Sequence, residues 1–157
     1  MTTATFDRGN IFILTGAGIS AESGIETFRD TGGIWEKNSI EDVATPEAFA
    51  KDPMRVHDFY NARRRALGAA EIAPNAAHKA LVLLEEQLPA KVLIVTQNID
   101  DLHECAGSQN LIHMHGELTK ARCTSCGDVR RQVEDLNVGS ICPACQTGGT
   151  LRPHIVW

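Results

Sequence analysis

Apolar residues recur along this chain in two registers: short β-rich runs closed by glycine or polar residues, and longer stretches with a helical period. Ile11-Phe12-Ile13-Leu14 is too short for an ordinary helix and is closed by Thr15 and Gly16, which predicts a buried strand entering a glycine turn. Lys91 to Thr96 predicts a second strand, apolar on both faces as central parallel strands are. Leu111 to His115 predicts a third, ended by Gly116. Helices fill the intervals. Thr45-Pro46 starts a short one over Pro46 to Ala50, and Asp52-Pro53 starts another reaching about Ala70, with Val56, Phe59, Ala62 and Ala66 at helical spacing. Pro74-Asn75 opens a helix with Ala77, Leu81, Leu84 and Leu88 on one face, and Pro89 ends it. A short helix runs to Ala106 before Gly107. Ser23 to Asn38 has neither period; loops of this length are often functional lids, and Trp35 reads as an anchor to the body.

Strands alternating with helices, each leading into a polar segment, argue a parallel α/β sheet whose ligands bind beyond the strands' carboxyl ends. Those ends carry Gly16 to Ser20, Gln97 to Asp100, and His115. Gly16 and Gly18 with Ala21 fit the loose form of the dinucleotide fingerprint, in which glycines let the backbone approach a pyrophosphate and helix amides bind its charge. A glycine turn that only rounds a corner fits the same residues. Histidine at a strand end can accept a proton from a hydroxyl, an amide such as Asn98 can hold an oxygen, and Asp100 can bind an amide or a ribose hydroxyl. Asp100 also reads as a helix cap, and His103 and His113 as surface or satisfied histidines. About 20 residues past the glycine loop there is no second strand ending in an acid, which counts against a hydride-transfer dehydrogenase.

The 157 residues suffice for one domain or one domain with a small insert, and a net charge of −5 argues against a nucleic-acid surface. Arg63-Arg64-Arg65 and Arg130-Arg131 read as solvated basic faces. No run is long enough to span a membrane, and the N-terminus lacks a signal-peptide pattern, so a cytoplasmic location is expected. In that compartment thiols stay reduced, and clustered cysteines mean metal or catalysis. Cys123-x-x-Cys126 and Cys142-x-x-Cys145, separated by 15 residues, match a closed, structural four-cysteine Zn2+ site. A redox pair would leave the second CxxC unexplained. Cys105 reads as a half-buried thiol without a role.

Gly16-Ala17-Gly18-Ile19-Ser20, Gly24-Ile25-Glu26-Thr27-Phe28-Arg29, Thr96-Gln97-Asn98-Ile99-Asp100-Asp101-Leu102-His103, His115-Gly116 and the paired CxxC motifs occur in sirtuin order. The chain resembles the N-terminal part of a sirtuin, an NAD-dependent protein-lysine deacylase. The resemblance implies a Rossmann-like NAD-binding domain over residues 1–117 with a helical segment at 46–74, a zinc-ribbon module over 118–150, and a return to the first domain at 151–157. It implies that Gly16, Ala17, Gly18 and Ser20 line the NAD phosphates, and that Phe28 and Arg29 belong to the loop covering the nicotinamide ribose. Gln97 would contact that ribose, Asn98 and Asp100 would line the nicotinamide pocket, and His115 would be the base. NAD is then a consumed co-substrate, giving nicotinamide and O-acyl-ADP-ribose. Thr27-Phe28-Arg29 in place of the commoner Asp-Phe-Arg, and Tyr60-x-x-Arg63, resemble the bacterial and mitochondrial branch. There the tyrosine and arginine hold the acidic end of succinyl- or malonyl-lysine; Tyr60 and Arg63 project from one side of a helix. Sirtuins continue beyond the segment ending at Trp157; were these 157 residues the whole protein, an open apolar sheet edge would be expected. An NAD- and zinc-binding module without turnover and a protein ADP-ribosyltransferase remain alternatives to the deacylase.

Overall fold

Two of the short apolar runs form the expected strands, β1 (Ile11–Thr15) and β2 (Val92–Thr96), paired in parallel from Ile11 opposite Val92 to Thr15 opposite Thr96. The computed structural model describes residues 9–27, 34, 39–89 and 91–157; Phe28, Arg29 and Trp35 lie outside the described residues. β3 (Leu111–His113) adds to the far side of β2, giving the order β1-β2-β3. Parallel neighbours need long crossovers. The described part of the first contains α1 (Ala17–Ala21), α2 (Ile40–Val43), α3 (Pro46–Lys51), α4 (Pro53–Leu67) and α5 (Ala76–Gln87), and α6 (Leu102–Ala106) links β2 to β3. The caps follow from their residues. Thr45 accepts from the Ala48 amide and Asp52 from the Arg55 amide, both at 3.0 Å, with proline opening each helix.

The third strand is shorter than the sequence predicts. It stops at His113, and His115 sits in the turn to β4 (Gly116–Cys123). Gly116 has φ +81°, and a Cβ there would lie 2.1 Å from the His154 carbonyl oxygen, so only glycine fits this turn. β4 is the centre of an antiparallel sheet, β5-β4-β6, with β5 (Val129–Arg131) and β6 (Leu151–Ile155). Its pairing with β6 runs from Gly116 opposite Ile155 to Cys123 opposite Leu151, with an irregularity between Glu117 and Ala121. Pro153, lacking an N–H, stands on this outer strand where no ladder bond is lost.

Helix α4 buries more polar surface than its pattern announces. Val56 and Phe59 are buried as expected, but Ala62 and Ala66 are exposed, and His57, Tyr60, Asn61 and Arg64 complete the buried face. The basic triplet is therefore not one solvated face, because successive helical residues point about 100° apart. Arg64 is buried and donates to the Leu118 carbonyl at 3.0 Å and to Asn61 Oδ1 at 2.8 Å. The Arg63 guanidinium lies 3.4 Å from the Phe59 ring centroid, and only Arg65 is exposed, paired with Asp135. In α5, Ala77 is exposed while His78 and Glu85 are buried; Glu85 accepts from the amides of Gln109 and Asn110 just before β3.

Val43, Ala48, Val56, Phe59 and Tyr60 form the main core with Leu118 of β4 and Ile155 of β6. A second cluster, Ala121, Cys123, Leu136, Cys142 and Leu151, lies inside the antiparallel sheet and its loops. β2 is covered on one face only among the described residues. Val92, Ile94 and Thr96 are buried, whereas Phe12, Leu14 and Ile112 on the opposite face are 71%, 64% and 50% exposed. No helix among the described residues is long and apolar enough to cross a membrane.

Candidate functional site

The carboxyl ends of β1 and β2 bring α1 against Gln97–Asp100. Ser20 donates to Asp100 Oδ2 and accepts from Asn98 Nδ2, both at 3.0 Å, and all three residues are buried. Asp100 Oδ1 also accepts from the Leu102 amide at 3.2 Å, so it bonds the start of α6 and faces Ser20 at once. Burial pushes its carboxyl up, against the pull of the Leu102 and Ser20 bonds.

The glycine loop precedes this cluster. Gly16 is extended (φ −145°, ψ −171°) and no side chain caps α1 behind it. Among the described residues, a Cβ added at Gly16 or Gly18 would meet nothing within 4 Å. Neither backbone conformation nor protein neighbours thus demand glycine at Gly16, and space at Gly18 is open too. The cradle fits a phosphate approaching the α1 amides. Asn75 fastens α1 from behind: it caps α5 and donates to the Ile19 carbonyl at 2.7 Å and to Ser23 Oγ at 3.0 Å. Pro74-Asn75 signalled a helix start and nothing more, so this support was missed.

Two histidines, two positions apart, hold neighbouring carbonyls of the segment after β2. His115 Nδ1 is 2.9 Å from the Gln97 carbonyl and His113 Nδ1 is 3.1 Å from that of Asn98. A carbonyl only accepts, so each Nδ1 carries the proton. In neutral His115 the lone pair is then on Nε2, free to act as a base. His113 Nε2 meets Glu104 Oε1 at 2.8 Å; burial lowers its pKa, but this carboxylate and the Asn98 carbonyl outweigh it and raise it. His103 is fully buried behind the loop, its Nε2 3.0 Å from Thr15 Oγ1 and its ring 4.9 Å from that of His78. Burial, then the neighbouring His78, lowers its pKa to about 4.

Two adjacent cavities open here, sharing Ala17, Asn98 and Ile99 in their walls. The narrower, about 160 Å³, runs from Ser20, Asn98 and Asp100 to Ile25, Leu67 and Arg63. The wider, about 550 Å³, is walled by Gly18, Gln97, His115, Tyr60 and Trp157. Tyr60 and Arg63 therefore leave α4 toward different cavities. Arg63 donates to the Phe59 carbonyl at 2.9 Å, while its buried Nε has no partner among the described residues. Burial lowers the Arg63 pKa to about 10, against Tyr60 and Glu26.

Across the molecule, the sulfurs of Cys123, Cys126, Cys142 and Cys145 all lie within 4.8 Å of one another. Cys123–Cys145 and Cys126–Cys142 are 3.7 and 3.8 Å apart. Disulfide sulfurs would be about 2.05 Å apart. A tetrahedron of bonds of about 2.3 Å has edges near 3.8 Å. The donor set fits one structural zinc. The Cys126 amide donates to Cys123 Sγ at 3.5 Å, as an amide supports a metal-held thiolate, and Thr150 Oγ1 lies 3.2 Å from the same sulfur. Cys105 stands apart and is exposed rather than half-buried.

Residues 16–157 match the Sir2 family. The chain belongs to the Sir2 family. Its relatives include an NAD-dependent protein deacylase of Vibrio parahaemolyticus, 59% identical over 152 residues, 97% of this chain and 63% of the relative. An NAD-dependent protein deacylase of Escherichia coli is 55% identical over 96% of this chain and 55% of its own length. The chain thus spans less than two thirds of these curated relatives. Among solved structures, a Sir2 homologue in complex with NAD superposes with a TM-score of 0.76 at 44% identity, over 93% of this chain and 56% of the homologue. The matched residues include the geometry described above: glycine loop, Ser20–Asn98–Asp100 cluster and His115 around two adjacent cavities, with the four cysteines apart from them.

Proposed function

We propose that this chain carries the cofactor and acyl-lysine machinery of an NAD-dependent protein-lysine deacylase acting in the cytoplasm. The supporting observation is His115, whose Nδ1–H is held by the Gln97 carbonyl and whose ring walls the cavity next to the Ser20–Asn98–Asp100 cluster. NAD, when bound, supplies the nicotinamide–ribose bond to be broken and the ribose hydroxyl that takes up the acyl group. Gly16, Ala17, Gly18 and Ser20 would line its phosphates at α1, and Asn98 and Asp100, both bonded to Ser20, would line the nicotinamide pocket. Gln97 and His115 would face the ribose, and His115 Nε2 would accept the hydroxyl proton. Phe28 and Arg29, outside the described residues, would belong to the loop covering the nicotinamide ribose. Tyr60 and Arg63 receive the acidic end of a succinyl or malonyl group, with Arg63 turning from one cavity toward the other. Residues 1–117 form the NAD-binding part, 118–150 the zinc module, and 151–157 return to the first.

Incubation with NAD and an acetyl- or succinyl-lysine peptide tests this. Free nicotinamide with deacylated peptide is expected, and His115→Tyr should abolish both while NAD still binds. Label from NAD appearing on protein would favour a transferase instead, and NAD binding with neither product would favour a binding module.

A further inference from the structure

Tyr60 and Trp157 meet at the wall of the wider cavity. The indole Nε1–H of Trp157 donates to the Tyr60 hydroxyl at 3.0 Å. A phenol oxygen can both accept and donate, but an indole N–H only donates. The Tyr60 proton therefore cannot go to Trp157 and is left for a different acceptor. Tyr60 is buried at 3% exposure and lines the cavity, so that is where an acceptor can reach it.

Trp157 is itself held in place. The Arg152 guanidinium lies 4.4 Å from its ring centroid and donates to the Ile155 carbonyl at 2.9 Å, and the Phe49 ring packs at 5.5 Å. The charged groups acting on the phenol are Arg63 of α4 and Arg152 of β6, both cations. Burial raises the pKa of the phenol, while the indole bond and the two arginines pull it down. The net direction keeps it a donor at neutral pH.

We propose that Trp157 is a specificity-determining residue acting through Tyr60: by occupying the acceptor side of the hydroxyl, it presents a donor to the cavity. A carboxylate accepts only, so an acyl-lysine whose acyl group ends in a carboxylate is favoured over one ending in a methyl. This rests on the reading of Tyr60 and Arg63 as the acyl-recognising pair.

Trp157→Phe keeps a ring and removes the N–H. Two measurements on the full chain report the consequence. Tyr60 is the only tyrosine in the sequence, so phenolate absorbance follows it alone. Losing a donor that favours the phenolate should move its titration to higher pH; an unchanged titration overturns the proposal. In the second, labelled succinyl-lysine and acetyl-lysine peptides are bound in the presence of NAD, and their affinity ratio should fall about fivefold. Tyr60→Phe is measured beside it. A ratio lowered by Tyr60→Phe but not by Trp157→Phe overturns the role of Trp157 and leaves Tyr60 as a recognition residue. A ratio untouched by Tyr60→Phe overturns that recognition reading and this proposal with it.

Discussion

At the ends of β1 and β2, Ser20, Asn98 and Asp100 bond one another, and Thr15 pairs with His103; around β4, four cysteine sulfurs face chiefly each other and Thr150. The first region is polar and bonded within itself, although Arg63 Nε and His103 Nδ1 have no partner among the described residues. It leans on a core that α2, α3 and α4 build with Leu118 and Ile155. The second has a core of Ala121, Leu136 and Leu151 with two of the cysteines themselves. So few apolar side chains do not sustain three short strands, and a metal takes the place of the missing core. Damage should therefore spread differently in the two regions: loss of chemistry in one, loss of fold in the other.

Removing the zinc puts the sharpest pressure on that contrast. Structural zinc contributes on the order of 10 kcal/mol in small zinc-binding peptides, so Cys142→Ser or a strong chelator should melt the β5-β4-β6 sheet. Metal analysis beside thermal unfolding checks this. Purified protein without near-stoichiometric zinc, its four thiols freely titratable, would break the comparison outright.

Asn61 tests the seam between the regions. It donates to the Leu136 carbonyl at 2.7 Å, accepts from the Leu136 amide at 3.0 Å and receives Arg64 at 2.8 Å. Asn61→Ala strands all three partners and should cost roughly 3 kcal/mol, read from the shift of a denaturant midpoint. A loss below about 1 kcal/mol would mean that water replaces the side chain.

The smallest effect is expected from acid acting on the first region. In the unfolded chain His103 protonates near 6.5, but in the folded protein only near about 4. The unfolded state thus binds more protons in between, and stability present above 6.5 is lost as pH falls toward 4. The loss should be roughly 2 kcal/mol and smaller in His103→Gln, which can still reach Thr15. Parallel curves for the two proteins would remove His103 from the acid response, and zinc release in the same range cancels in that difference.

The parts legible in the sequence are those written in local chemistry. β1 and β2 announced themselves as β-rich runs, the caps Thr45, Asp52 and Asn75 as start signals, and the cysteines by spacing. The glycine loop, Asn98, Asp100 and His115 were placed at strand ends, and the fold brings them together. What stayed hidden depends on contacts far along the chain. β4 was missed because β6, more than twenty residues beyond its end, defines it, and that pairing shortens β3 and puts His115 in a turn. Arg64 reads as part of a solvated basic face and Asn61, His78 and Glu85 carry no signal at all, since no local pattern tells a buried polar group with a distant partner from a solvated one. The divergence of Tyr60 and Arg63 into separate cavities was equally invisible, because helical spacing fixes where side chains start and not where long ones end.

One turn of α4 has a mechanical consequence. Tyr60 and Arg63 look into the cavities, while Asn61 and Arg64, from the same turn, grip the carbonyls of Leu136 and Leu118. The turn works as an axle with a load on each end. A roll of this turn would shift the cavity walls and pull on the Leu136 and Leu118 backbone at the same time. The cavity walls and the segments leading to the cysteines thus share one rigid helical turn as their common support.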